Sequence, residues 1–244
     1  ELEMMKVVLN SGSVVDIDVN KFSTAFKKGE QFGKYEPITW LYNDKKPVVV
    51  LNYDGSTADE WSAVDSRSLF LWDKSKQFVV TVSRNGVMKK SLMSDYKKID
   101  KLCKVKAEDE ILYAFSCNDT DKIIVLLEDS KIHTTLVEDI KVSSKLTMGS
   151  KKASGKVLSC ACVPKGGLYF TVDAENRIKR AEVDDLSCST VSINEGCQII
   201  GTVAKNMFWY DGSKITYIDW DKISVKGRTA QGAKIGTKKL VAIA

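Results

Sequence analysis

The chain of 244 residues contains three prolines and one histidine, and none of its six cysteines stands in a Cys-x-x-Cys pair. So few prolines argue against disordered linkers, and 43% hydrophobic with 28% charged residues are the proportions of a chain that buries a substantial core. Without paired cysteines no zinc site is expected, and Cys160 and Cys162, two apart in VLSCACV, read as small apolar residues on one face of a strand. The lone His133, in KIHTTLV, has neither a metal-ligating partner at useful spacing nor a Gly-x-Ser-x-Gly elbow beside it, so it reads as structural or exposed. No apolar run approaches the roughly 20 residues of a membrane span, and the opening ELEMMK lacks the basic-then-apolar order of a signal peptide. The expected location is the cytoplasm, with no membrane partner, and the opening residues also fit a piece of a longer protein. Neither sign of charge dominates: a net charge of +5 and a pI near 8.7 point only weakly to a polyanionic partner. The basic residues do cluster from Lys222 to the end, where no acid interrupts them.

What the sequence does contain is a recurring hairpin. In Gln77 to Tyr96, QFVVTVSRNGVMKKSLMSDY, Phe78, Val80 and Val82 alternate with Val79, Thr81 and Ser83, the period expected of a half-buried strand. Asn85-Gly86 supplies a turn of type I′, and the return strand carries Lys89 and Lys90. Alone, such a hairpin reads as a sheet edge guarded by lysines. It is not alone, however, because turn positions Gly12, Gly55, Gly86, Ser130, Asn176 and Gly212 recur with a period of about 40 residues. Each unit offers a lead strand, a hairpin and a closing turn such as Ser94-Asp95-Tyr96, Glu138-Asp139-Ile140 or Asp184-Asp185-Leu186. Acids at these places read as turn formers and not as metal ligands. One such unit cannot bury both faces, so stacking around an axis is expected: one all-β domain over 1–244, a six-bladed disc with four-stranded blades at about 1–35, 36–68, 69–105, 106–150, 151–195 and 196–244. A β-sandwich does not require this recurrence. No helix longer than a turn or two is expected, with Asp59 to Ser68 the ambiguous place.

The Gly-His and Trp-Asp marks of the common repeat propellers are absent from register, since Trp72-Asp73 and Trp220-Asp221 occupy different blade positions. The pattern VVTVSRNGVMKKSLMSDY instead resembles the blade pattern of the C-terminal domain found in the A-type subunits of bacterial type II topoisomerases, DNA gyrase A and the ParC protein of topoisomerase IV. The segment GRTAQGAKIGTKKL, Gly227 to Leu240, is similar to the stretch that follows such a blade in that family. The resemblance implies a β-pinwheel, a disc whose neighbouring blades exchange strands and whose basic rim holds and bends duplex DNA, associated with the nucleoid. It also implies a domain that is not itself an enzyme and needs no cofactor. Such a domain works beside the catalytic core of its own polypeptide, with the ATPase subunit of an ATP-dependent topoisomerase as a further partner. The Gln-Arg-Arg-Gly-Gly-Lys-Gly box of gyrase is missing; its nearest echo, Gln231 to Gly236, lacks the paired arginines, which favours the ParC-like kind.

Holding DNA without reading its sequence requires cations along a curved surface, where phosphate contacts release counterions and wrapping offsets the cost of bending. The candidates are Arg84, Lys89 and Lys90 in blade three, Arg177, Lys179 and Arg180 in blade five, and Lys214, Lys226, Arg228, Lys234, Lys238 and Lys239 in blade six. Side chains alternate across a strand, so only one of Lys89 and Lys90 is expected to meet any one surface. The acidic second unit, with Asp54, Asp59 and Glu60, is expected to hold DNA poorly, and the five tryptophans read as blade packing. The alternative reading is a propeller serving as a protein-interaction scaffold. An enzymatic propeller would need acids, bases or metal ligands converging on the central channel, and none align across the units.

Overall fold

Among the described residues six antiparallel hairpins follow one another. They are β1 (Met4–Leu9) with β2 (Val14–Asp18), β4 (Val48–Asn52) with β5 (Thr57–Ala58), β7 (Phe78–Ser83) with β8 (Val87–Leu92), β10 (Asp121–Leu127) with β11 (Lys131–Leu136), β14 (Leu168–Asp173) with β15 (Arg177–Glu182), and β18 (Asn206–Tyr210) with β19 (Ile215–Asp219). Between them run β3 (Ile38–Asn43), β6 (Ser66–Leu71), β9 (Ile111–Cys117), β13 (Val157–Pro164), β17 (Cys197–Thr202) and β21 (Lys239–Ile243), and the short β12 (Ser150–Lys151), β16 (Thr190–Ser192) and β20 (Ala233–Lys234). The computed structural model describes the backbone of residues 4–9, 14–18, 38–43, 48–60, 62, 64–187, 189–202, 206–210, 215–234 and 239–243, and the side chains of 49–60, 62, 64–187, 189–202 and 221–234.

Among the described residues these strands form six sheets, three of four strands and three of three. The first strand of each hairpin pairs with the lead strand that follows it: β1 with β3, β4 with β6, β7 with β9, β10 with β13, β14 with β17 and β18 with β21. The second strand takes its other edge from farther on. β12 pairs with β8, β16 with β11 and β20 with β15, each arriving only after the next hairpin has been made. In blade two the same place is taken by a bridge between Ser56 and Lys101. The sequence units therefore straddle the sheets: Ile111–Cys117, the lead strand of the fourth unit, is an edge of blade three. Lead strands of neighbouring blades face one another, β6 beside β9 and β13 beside β17, and β21 lies beside β3, so the last blade meets the first. The result is a propeller-like ring.

Stacking of blades explains a difference from the sequence reading. All six residues of β7 are buried, because each face of the strand meets a different neighbour. Phe78, Val80 and Val82 join Ile123, Val125 and Leu127 in the core between blades three and four, while Val79 joins Leu51, Phe70 and Trp72 between blades two and three. Ile124 and Leu126 then enter the next core with Tyr169, Ala181 and Ile200. The period of two separates two cores, not core from water. Cys117, Cys160 and Cys162 pack in or against the core of blades three and four, and Trp72 makes edge contacts with Phe70 and Tyr96.

The turns also differ in type. Gly55, Gly86, Ser130 and Asn176 all have positive φ, as their equivalence predicts, but Asn85 does not. Gly86 N–H donates to the Ser83 carbonyl at 3.1 Å, so the hairpin closes with a type I turn followed by a left-handed residue, not with the type I′ turn expected from Asn-Gly. A short 3-10 turn ends each of the later hairpins, at Met93–Asp95, Val137–Asp139, Val183–Asp185 and Trp220–Lys222. The apolar residue after each turn (Tyr96, Ile140, Leu186, Ile223) is buried. Residues 59–68 contain no helix among those described, and β6 begins at Ser66.

Candidate nucleic-acid interface

Three lysines named as candidates lie inside the protein, so that neither member of the Lys89–Lys90 pair meets the outer surface. Lys89, Lys90 and Lys179 are 1%, 3% and 0% exposed. Their strand puts them against the rim segment delivered by the next repeat, and the sequence carries no sign of that cover. After its 3-10 turn the chain returns along the outer edge of blade three: Val142 bridges Lys90 in parallel, 143–149 bow outward, and Ser150–Lys151 come back antiparallel against Met88 and Val87. The backbone inside this loop turns its carbonyls toward Lys89. Its ammonium donates to the carbonyl oxygens of Lys145 at 2.7 Å and Ser144 at 3.5 Å, to Ser91 Oγ at 2.6 Å and to Tyr96 Oη at 3.1 Å. Gly149 is required where the loop returns, since it has φ +74° and a Cβ there would collide with the Met88 carbonyl.

Blade five repeats this construction. Val225 bridges Arg180 in parallel, and Ala233–Lys234 return against Ile178 and Arg177. Lys179 Nζ donates to the carbonyls of Gly227 at 2.5 Å and Arg228 at 2.8 Å, and a Cβ on Gly232 would strike the Ile178 carbonyl. Burial pushes both ammonium groups down to about 8, with Lys145 near the first and Lys226 near the second as smaller like-charge contributions. The neighbours of these lysines also act internally. Lys90 Nζ donates to the Val137 carbonyl at 2.8 Å and lies 3.2 Å from Asp119 Oδ1, and Arg180 Nε donates to the Ile223 carbonyl at 2.7 Å. Each ties its blade to the closing turn of the next repeat. Lys89, Lys90 and Lys179 thus support the rim from within and, contrary to expectation, have no ammonium exposed to phosphate, while Arg180, partly exposed, shares in that support.

Blades two and four lack both parts of the device. Lys89 faces Thr81 and Lys179 faces Thr171 across the hairpin, whereas the matching place in blade four holds His133 opposite Val125. There the chain passes from buried Leu186 straight to β16 at Thr190, and His133 Nδ1 lies 3.0 Å from Thr190 Oγ1. In blade two the place holds Ala58, and the chain goes from Tyr96 to the bridge at Lys101 without an outward loop. A lysine at this position accompanies a long rim loop, and its absence accompanies a short one.

The remaining sequence candidates are scattered. Arg84 is half-exposed and paired with Glu110 at 2.6 Å, and Arg177 lies 2.9 Å from Glu175 and 3.6 Å from Asp173. Lys226 and Lys234 are exposed on the blade-five loop, with Arg228 between them donating to the Asp185 carbonyl at 3.3 Å. Thus three residues assigned to blade six in fact serve blade five. Lys214 and Lys238 lie outside the described residues; Lys239 begins β21, and its side chain is also outside them.

The sequence reading missed the counterpart loop. In register, Lys145 matches Arg228, Gly149 matches Gly232 and Lys151 matches Lys234, so the blade-three loop carries counterparts of two cations, while Lys226 falls on Ser143. Lys141 and Lys151 are exposed. Lys106, Lys151 and Lys156 border a shallow groove with Asn85 and Met148, and Lys156 Nζ bonds Asn85 Oδ1. The similarity of VSSKLTMGSK to VKGRTAQGAK was the available signal, hidden because the first lacks an arginine.

No protein-family model matches the chain, and no curated protein matches its sequence. Solved structures do. A DNA gyrase A C-terminal domain superposes with a TM-score of 0.73 at 14% identity, over 98% of this chain and 99% of that one. The C-terminal domain of a DNA topoisomerase IV gives 0.64 at 12% identity over 100% and 93%, and the E. coli ParC C-terminal domain gives 0.54 at 12% over 79% and 96%. These values do not favour the ParC-like kind over the gyrase kind. The chain has the all-β, propeller-like pinwheel fold of these topoisomerase C-terminal domains, and its own described residues form six sheets.

Proposed function

We propose that this chain binds and bends duplex DNA without sequence preference, and presents a DNA segment to the catalytic core of a type IIA topoisomerase for strand passage. The observation that carries the reading is a full-length match of fold to gyrase A and topoisomerase IV C-terminal domains, combined with cationic loops on the outer edges of two blades. Cations on a convex rim suit a bent duplex, because successive phosphates meet them only if the axis curves. In this reading the chain performs no chemistry and binds no cofactor. Its partners are duplex DNA, the catalytic core of its own polypeptide and the ATPase subunit, and its place is the nucleoid in the cytoplasm. Among the described residues no helix is long and apolar enough to cross a membrane.

The test is a titration of the chain with mixed-sequence duplexes at several salt concentrations, with end-to-end energy transfer to report bending. Binding in the micromolar range or tighter is expected, with log K falling linearly against log salt. Absence of binding at low salt overturns the proposal. A protein partner bound at high salt, with DNA ignored, would establish the scaffold reading instead.

A further inference from the structure

Lys89 and Lys179 have no ordinary reason to be buried. A lysine loses side-chain freedom and hydration inside a protein, and such groups are rarely enclosed unless something specific receives the charge. Here the receiver in both blades is the inner side of a rim loop, contributed by residues 56 and 49 positions farther along the chain. The two loops share little sequence beyond a glycine and basic residues, yet both turn two consecutive carbonyls onto one ammonium. Where the lysine is replaced by Ala58 or His133 the loop is absent. Four blades thus give two states of the same pair, and no blade of the four mixes them.

Resting on the DNA-binding reading above, we propose that Lys89 and Lys179 are positioning residues that hold the rim loops 143–149 and 226–232 in their outward form. These loops are then two places where a bent duplex is gripped, on blades three and five, while blade four is passed over. The buried cation acts twice. It collects carbonyls that would otherwise face outward toward phosphate, and it leaves Lys151, Lys226 and Lys234 on the outer side, with Arg228 half-exposed and Lys145 partly sheltered, its ammonium over the Tyr96 ring. Asp100, 2.9 Å from Lys145, and Asp185, 3.8 Å from Arg228, hold those cations in place and are displaced or bridged when phosphate arrives.

The test uses Lys89→Met and Lys179→Met, singly and together; methionine keeps the length of the stem and removes the charge. Amide hydrogen exchange reports each loop independently of DNA. In Lys89→Met, exchange within 143–149 should quicken by about tenfold or more, while 226–232 and the amides of β7 and β10 keep their rates. Duplex affinity should fall about fivefold for each single variant although no surface cation has been removed, and the salt slope should shrink by about one or two. If Lys89→Met does not fold, a second variant decides. Shortening 143–149 to the blade-four connection should destabilise the protein when Lys89 is kept, and adding Lys89→His should restore part of the loss. Unchanged exchange in 143–149, or no rescue by histidine, overturns the anchoring. Released loops with unchanged DNA affinity overturn their role as grips. A wild-type chain that ignores DNA removes the functional reading, and the exchange rates still decide the anchoring.

Discussion

Blades three and four are neighbours built from the same hairpin, and they treat one strand position in opposite ways. In blade three Lys89 is enclosed beneath ten residues of returning chain; in blade four His133, half-buried, meets a single threonine beneath a short connection. The hydrophobic cores on either side are alike, so the difference does not concern how the disc is held together. It concerns what the outer edge presents. A propeller can tolerate variation in the segment that finishes a blade, since that segment contributes only two or three strand residues, and function can be installed there without disturbing the stack.

The most severe way to break this contrast is to reverse charge on both long loops. Lys145→Glu, Lys151→Glu, Arg228→Glu and Lys234→Glu together should weaken duplex binding by about a hundredfold and lower the salt slope by about four, whereas Lys131→Glu on blade four should change affinity by less than about twofold. Fluorescence anisotropy at graded salt measures both. Next comes the glycine that lets the loop return. Gly149→Ala should cost about 2–3 kcal/mol in chemical denaturation because a left-handed residue is also forced against backbone, while Gly196→Ala, left-handed but in open space, should cost about 1 kcal/mol.

A smaller effect is expected from pH. Lys89 and Lys179 have folded-state values of about 8, below the unfolded value near 10.4, so between these limits the unfolded chain binds more protons and stability rises with pH. The buried thiols of Cys103 and Cys197, pushed upward by burial, oppose this above about 9. The clean measurement is therefore the difference between wild type and the double methionine variant, which should grow by about 1 kcal/mol from pH 7.5 to 8.5. The smallest effect tests the converse site: His133→Lys places an amine where no loop offers carbonyls, and should cost about 0.5–1 kcal/mol. A stabilising result would mean that the lysine and the long loop are not coupled.

The hairpins were legible in the sequence because their signals are local. Gly55, Gly86, Ser130 and Asn176 align as turn positions, and all four adopt positive φ. The stacking into blades followed from recurrence. The edges of each sheet were not legible, since β12 and β20 carry two residues each and pair with strands far back in the chain. The site suffered most from this. Lys89, Lys90, Lys179 and Arg180 lie on strands whose cover arrives more than forty residues later, and in a sequence a lysine on a return strand looks like a solvated one. For the same reason spacing alone puts Lys226 and Lys234 on the wrong blade, and Lys145 and Lys151 sit in a segment that reads as a mere connection.

The exchange of edges also bears on how such a chain emerges during synthesis. When the hairpin β7–β8 has left the ribosome, its sheet still lacks both outer strands; β9 supplies one soon afterwards, and β12 supplies the other only after the hairpin β10–β11 has also emerged. Each repeat is thus unfinished for the time needed to translate its successor, and the open edge it exposes is the one that the next segment is addressed to. A nascent chain of this design keeps at most its two most recent blades incomplete, which limits the unpaired strand available for aggregation to a short, moving window.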